Sequence, residues 1–183
     1  MATAILRPSS TTSQTGWAAD PIVTAADGNL ATGVAQNNVT CNWTAVLDDL
    51  DSGLSGATIN NFTISANATP GRAGSCTAEM SLIHSSDGAF AAESEAWVGG
   101  ANATKETTAR TTQQDGSSAL TYAYINNCSV KIDPNNQGMT LYDLWVTVDY
   151  TVGYGNNIFG IAAANIGKII GRTKSTIDKM IGK

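Results

Sequence analysis

Charged side chains are scarce in this sequence: they make up 14% of its 183 residues, against about 25% in a typical soluble domain. Small polar residues, mainly Thr, Ser and Asn, take their place, and they suit β-strands and turns better than helices. The hydrophobic fraction of 42% is nevertheless ordinary. The length allows one domain with a hydrophobic core plus an appendage, and it leaves little room for two domains.

Cysteine and long apolar runs are also rare. The three cysteines (Cys41, Cys76 and Cys128) are odd in number and widely spaced, so we expect free thiols rather than a disulfide framework. No apolar run approaches the roughly 20 residues of a membrane-spanning helix. The N-terminus, MATAILRPSS, lacks the basic-then-apolar pattern of a signal peptide. We therefore expect a chain made in a cytoplasm, with no membrane partner.

Catalytic motifs are largely missing. The single histidine, His84, lies at the end of a predicted strand, and we interpret it as a surface or edge residue. No nucleophile elbow, complete dinucleotide-binding loop or P-loop is present. Paired carboxylates could serve a glycosidase, and the candidates are Glu79, Glu93, Glu95, Asp143 and Asp149. A simpler explanation is that these side chains occupy solvent-facing positions of the strands. We predict that the protein is not an enzyme and needs no cofactor.

A cluster of three aspartates in the segment LDDLDSG could ligate calcium. Calcium takes several oxygen ligands from a turning loop, and the further oxygens and terminal glutamate of an EF-hand are missing here. We therefore favour a solvated loop for Asp48, Asp49 and Asp51.

Alternating apolar and polar residues predict strands through most of the chain. The clearest case is LYDLWVTVDYTV, residues 141–152, where Leu144, Val146, Val148, Tyr150 and Val152 share one face. Weaker strand signals occur at 2–7, 57–66, 75–84, 91–99 and 118–132, separated by turn-forming segments. We predict a mainly β fold, an antiparallel, jelly-roll-like β-sandwich formed by residues 1–154.

One segment of the body departs from this pattern. In WTAVLDDLDSGLSG, the apolar residues Trp43, Val46, Leu47 and Leu50 follow helical spacing, which predicts one or two helical turns.

The end of the chain is basic, whereas the rest of the chain is acidic. Residues 159–183 contain five bases and one acid, a net charge of +4, whereas the rest contains five bases and 14 acids, a net charge of −9. The acidic body is a poor partner for nucleic acid. A period of 11 aligns Gly160, Gly171 and Gly182, and the apolar residues within each unit have helical spacing. We predict two short amphipathic turns in a tail spanning residues 155–183, helical or extended, too short to be stable in water unless they dock on a partner. The predicted docking residues are Phe159, Ile161, Ile166, Lys168, Ile169, Ile170, Arg172, Lys174, Ile177, Lys179, Met180 and Ile181.

Two parts of the chain resemble bacteriophage proteins. The opening AILRPSSTTSQTGWAAD, the segment NWTAVLDDLDSG and the strand LWVTVDYT resemble a β-sandwich domain of tailed-bacteriophage structural and tail-associated proteins. The tail is similar to the NGVAxASIxKVNG repeat at the ends of some phage virion proteins, which also has a spacing of 11. GIAAANIGKIIG matches this repeat, and GRTKSTIDKMIG matches it in outline, with Arg172 and Lys174 where small residues are common. The resemblance implies a structural role in the virion without enzymatic activity.

The leading hypothesis is therefore a bacteriophage virion component, a β-sandwich displayed outward and anchored to the capsid or tail by its C-terminal segment. Its partners would be other virion proteins and further copies of itself, in particles assembled in the host cytoplasm. The alternative is a carbohydrate-binding module that recognises host-surface glycans. The tryptophans Trp17, Trp43, Trp97 and Trp145 could form a sugar-binding platform, although we expect at least two in the core.

Overall fold

A computed structural model describes residues 2–37, 40–71, 74–135 and 138–152. These residues form strands, two short 3-10 turns and one helical turn. The strands are β1 (Ala2–Leu6), β2 (Pro8–Thr15), β3 (Val34–Ala35), β4 (Asn42–Leu47), β5 (Thr58–Pro70), β6 (Ser75–His84), β7 (Gly88–Ala89), β8 (Glu93–Val98), β9 (Ala103–Glu106), β10 (Cys128–Pro134) and β11 (Met139–Thr151). The 3-10 turns are Pro21–Val23 and Ser52–Leu54, and the helical turn is α1 (Tyr122–Ile125).

The strands form two antiparallel sheets that pack into a sandwich, so the predicted mainly β fold is confirmed. The first sheet has the order β1-β11-β5-β9, and β3 also pairs with β11. The second sheet has the order β2-β4-β10-β6-β7, and β8 also pairs with β6. The N-terminal strand crosses from one sheet to the other at Arg7, between β1 and β2.

The core lies between the sheets and follows from the strand period of two, because alternate side chains of a strand point to the same face. In β11, Leu144, Val146 and Val148 are fully buried, while Thr147 between them is only half-buried. The largest fully buried side chains come from both sheets: Trp43, Trp97, Phe62, Met80, Leu82, Ile125, Ile132, Met139, Leu141, Leu144, Val130 and Val146. A single hydrophobic cluster joins them.

The helical turns predicted from Trp43 to Leu50 are wrong, although the same segment, WTAVLDDLDSGLSG, contains the 3-10 turn Ser52–Leu54. Residues 42–47 form β4, in which Trp43, Ala45 and Leu47 are buried at the spacing of a strand while Val46 is 41% exposed. Leu50 lies beyond the strand, where its backbone N–H donates to Asn126 Oδ1 at 2.9 Å. The apparent helical spacing therefore combined Val46, which faces solvent, with Leu50, which is buried in the loop after the strand.

The strand predicted over 118–132 is correct only from Cys128 onward, where β10 begins. Residues Tyr122–Ile125 form α1, whose first turn is capped by the side chain of Thr121, which accepts from the N–H of Tyr124 at 3.1 Å. A helical turn can bury the adjacent pair Tyr124 and Ile125, which a strand would place on opposite faces. Within the described ranges, no helix has the length and apolar character needed to cross a bilayer.

The alternation predicted for β11 extends to Tyr150, which packs against the core, and ends before Val152. The register with β5 shifts between Asp149 and Tyr150, whereas the pairing with β1 continues to Tyr150 without a shift. Tyr150 is half-buried, and Val152 lies beyond the strand and is 61% exposed.

Candidate functional site

The predicted docking residues, from Phe159 to Ile181, lie outside the described residues, as do the 11-residue repeat and the predicted boundary after residue 154. The structure does define where this segment leaves the body. Strand β11 ends at Thr151, which pairs with Thr58 of β5, and the preceding Tyr150 pairs with Ala2 of β1. The chain therefore continues from the end of the first sheet at which β1 and β5 begin.

The aspartate-rich loop joins β4 to β5. It begins beside the N-terminal strand, where the N–H of Asp48 donates to the carbonyl of Arg7 at 2.7 Å, and it runs to Thr58. Asp48, Asp49 and Asp51 are exposed, and Asp51 Oδ1 accepts from the N–H of Gly53 at 2.7 Å. Among the described residues, no group of three or more His, Cys, Asp or Glu side chains is arranged to hold a metal ion.

The strand carboxylates proposed for a glycosidase have other partners. Glu93 forms an ion pair with Arg110 at 2.7 Å and caps the N–H of Thr108. Asp149 accepts from the side-chain amide of Asn61 at 3.1 Å. Glu79 is exposed, and Glu95 is half-buried on the neighbouring strand β8, where it pairs with Ala78 rather than with Glu79. None of these contacts joins two of the candidate carboxylates.

The fifth carboxylate, Asp143, belongs to a buried ion pair that the sequence did not reveal. Arg7 Nη1 donates to both carboxylate oxygens of Asp143, at 2.5 and 2.6 Å. Asp143 is only 2% exposed. Arg7 Cζ also lies 5.8 Å from the ring centre of Trp145, a distance at which a guanidinium is attracted to an indole face.

A glycine allows the Arg7 side chain to occupy this position. Gly28 has φ +75°, a left-handed backbone conformation that residues with a side chain rarely adopt. A Cβ at this position would lie 3.0 Å from Arg7 Nη2. Both charges of the pair are satisfied within the fold, so we assign it a structural role. The one feature of the sequence that could have pointed to this ion pair is that Arg7 is the only basic residue before Arg72.

The tryptophans are mainly core residues, as expected. Trp17, Trp43 and Trp97 are buried, and each indole N–H donates to a protein oxygen at 2.7–3.0 Å. Trp145 is half-buried, with Arg7 over its ring. The four side chains do not form an exposed aromatic platform.

The interpretation of His84 as a surface or edge residue is wrong. It is 8% exposed and lies on β6, which has a paired strand on each side. Its ring stacks on Tyr124, with centroids 3.9 Å apart and an angle of 3° between the ring planes. Its Nδ1 accepts from the N–H of Asp87 at 3.3 Å. The sequence did not predict the helical turn α1. Stacking of the His84 ring against Tyr124 of this turn explains why His84 is buried.

Burial also makes the groups near His84 poor nucleophiles. It is the main reason that the pKa of Tyr124 is raised and that the pKa of the Cys128 thiol reaches about 12. Since the thiolate is the reactive form of cysteine, Cys128 is suited to packing rather than to catalysis.

No known protein family matches the chain, and no curated protein sequence matches it. Several solved structures are similar to it, including the following three. The carbohydrate-binding module CBM6cm-2 from Cellvibrio mixtus lichenase 5A, in complex with cellotriose, has 12% identity and a TM-score of 0.46, covering 81% of this chain and 98% of that one. The C-terminal CBM6 of LamC, a marine laminarinase from Zobellia galactanivorans, has 10% identity and a TM-score of 0.39, covering 80% and 98%.

The third structure is the CBM32 of AlyQ in complex with 4,5-unsaturated mannuronic acid. It has 15% identity and a TM-score of 0.38, covering 78% of this chain and 92% of that one. Similarity at this level gives no information about what the present chain binds.

Proposed function

We propose that the protein is a non-enzymatic structural component of a bacteriophage virion, anchored to the particle by its C-terminal tail. The observation that carries the proposal is the 11-residue repeat at 159–183, which resembles a repeat of virion proteins. It follows a sandwich body of opposite net charge, −9 against +4. The site residues are the docking residues predicted from the sequence, and the partner is another virion protein.

The position of the last strand supports this arrangement. Because β11 ends beside the first residues of β1 and β5, the tail leaves from one end of the sandwich. A partner at that end would leave both outer faces of the sheets available for display. The body contributes the displayed surface, and the tail contributes the attachment.

The energy of docking comes from the apolar side chains of the repeat. Burying one large aliphatic side chain contributes roughly 1.5–3 kcal/mol, so four would supply several kcal/mol against the entropy of ordering the segment. The positive charge favours an acidic partner surface and makes attachment sensitive to salt.

Paired substitutions in the tail test this function. Ile166→Asp with Ile177→Asp removes one apolar residue from each repeat unit, and we expect nearly complete loss of the protein from purified particles, measured by mass spectrometry. The matched control, Asn165→Asp with Thr176→Asp, introduces the same charge one position earlier and should retain most of the incorporation. Lys168→Ala with Lys179→Ala should weaken attachment chiefly at low salt. Full incorporation of the isoleucine variant, or absence of the unaltered protein from particles, would refute the proposal.

The alternative function is recognition of host-surface glycans. It is less favoured because three tryptophans are buried and the fourth lies under Arg7, and a sugar platform needs exposed aromatic faces. Binding to a glycan array that is lost in Trp145→Ala would favour this alternative.

A further inference from the structure

Strands β1 and β2 form much of one side of the sandwich. Strand β1 is an edge of the first sheet and β2 is an edge of the second, and the two are joined at Arg7. On the opposite side, the edges are β9 in the first sheet and β7 and β8 in the second. Among the described residues, β1 pairs only with β11, so its other side has no strand partner.

The two sides differ in their protection against pairing with another strand. Proteins commonly discourage such pairing with charged side chains on edge strands. Strands β8 and β9 carry four charged residues, which are Glu93, Glu95, Lys105 and Glu106. In contrast, β1 and β2 carry none, and the charge between them, on Arg7, is paired with the buried Asp143.

Of the two uncharged edges, β1 is the better suited to pairing. Strand β2 has register shifts between Pro8 and Ser10 and between Thr11 and Ser13, and such irregularities disrupt an edge. Strand β1 pairs with β11 without any shift from Ala2 to Leu6. As far as the described strands go, the edge of β1 is therefore regular, uncharged and open.

Exposed apolar side chains lie on the same side. Ile5 is 59% exposed on β1. The loop after β2 bonds to β11 just beyond the end of β1, where the carbonyl of Ala25 accepts from the N–H of Leu144 at 3.0 Å. This loop exposes Val23 and Leu30, at 70% and 45%. Exposed apolar side chains next to an open strand are typical of an association surface.

We propose that β1 is the contact between two copies of this chain, pairing antiparallel with β1 of a second copy so that their first sheets become continuous. Centred on Ala4, this pairing sets Thr3 of each copy opposite Ile5 of the other. A second copy is the partner that the charges favour, because two-fold pairing sets an uncharged strand against an identical uncharged strand. The same pairing through β8 would oppose glutamates.

A second copy of the chain would be one of the partners expected in the proposed virion role. The inference rests on that role only for the biological purpose of the contact. It is tested on the purified full-length protein without particles, so its failure is separate from failure of the proposed function. In sedimentation velocity over a concentration series, we expect a monomer–dimer equilibrium. Replacing two exposed β1 residues, Thr3→Lys with Ile5→Lys, places like charges opposite each other and should raise the dimer Kd about tenfold or more.

The matched control is Ser94→Lys with Ala96→Lys, which places two lysines at the same spacing on exposed positions of β8 and should leave the Kd unchanged. Circular dichroism spectra of both variants should match that of the unaltered protein. A monomer at every concentration, as expected if the chain beyond Val152 covers β1, would overturn the proposal. An equal change in Kd for the β1 and β8 variants would overturn it as well.

Discussion

At the scale of single residues, the cysteines show how burial controls chemistry. Cys41, Cys76 and Cys128 are buried and free, which confirms the absence of a disulfide framework. Burial is the main cause of their raised thiol pKa values, which reach about 12 for Cys41 and Cys128. At neutral pH these thiols are therefore protonated and enclosed.

We predict that the native protein resists alkylation at neutral pH. In denaturant without reductant, mass spectrometry should find all three cysteines alkylated, because unfolding exposes thiols that were never paired. Detection of only one alkylated cysteine in denaturant would mean that the other two form a disulfide.

Asp115 provides a second prediction at this scale. Its carboxylate accepts from the N–H groups of Ser117 and Ser118, each at 2.8 Å, and from the hydroxyl of Ser118. These bonds favour the charged form and lower the pKa of Asp115 from its usual 3.8 to about 2. A lowered pKa means that the contribution to stability is complete above the unfolded pKa and is lost as the pH falls towards 2.

The carboxyl resonance of Asp115, followed by NMR as the pH is lowered, should have its midpoint near 2. A midpoint for Asp115 at its usual value of 3.8 would show that the turn does not hold the carboxylate in solution.

At the scale of elements, the ion pair between Arg7 and Asp143 holds the crossing of the N-terminal strand against β11. Asp143 is 3% exposed at its side chain, whereas that of Arg7 is 30% exposed. Removing Arg7 would leave a buried carboxylate without its counter-charge. Loss of one partner costs roughly 3–5 kcal/mol for a fully buried pair, and the partial exposure of Arg7 reduces this.

We therefore expect Arg7→Ala to lower the free energy of unfolding by about 2–3 kcal/mol in urea denaturation. The control is Arg110→Ala, whose pair with Glu93 is more exposed, at 37% and 22%, and which should cost about 1 kcal/mol or less. Equal losses in the two variants would show that the buried pair contributes no more than a surface pair.

The sequence predicted elements where the buried face is marked by large apolar residues. It located β6 and most of β11 because their alternation is carried by Met, Leu and Val side chains. It missed β2, since PSSTTSQT has no apolar alternation and forms a strand through its pairing with β4. The ion pair between Arg7 and Asp143 was equally invisible, because it joins residues 136 positions apart.

At the scale of the whole molecule, the central claim is a division between a self-sufficient sandwich and a tail that attaches it. The described body has one continuous hydrophobic core drawn from both sheets. Within the described ranges, the buried residues of this core lie between Leu6 and Val148. We therefore expect the body to keep its β-dominated circular dichroism spectrum and cooperative unfolding when the tail is removed.

The most direct measurement is the incorporation of a chain truncated after Tyr154. Full-length and truncated proteins are produced together in cells assembling particles, and their ratio is measured by mass spectrometry in the cell lysate and in purified particles. The account predicts that both are present and folded in the lysate, and that only the full-length protein is found in particles. Equal incorporation of the truncated protein would contradict the claim that the tail is the anchor.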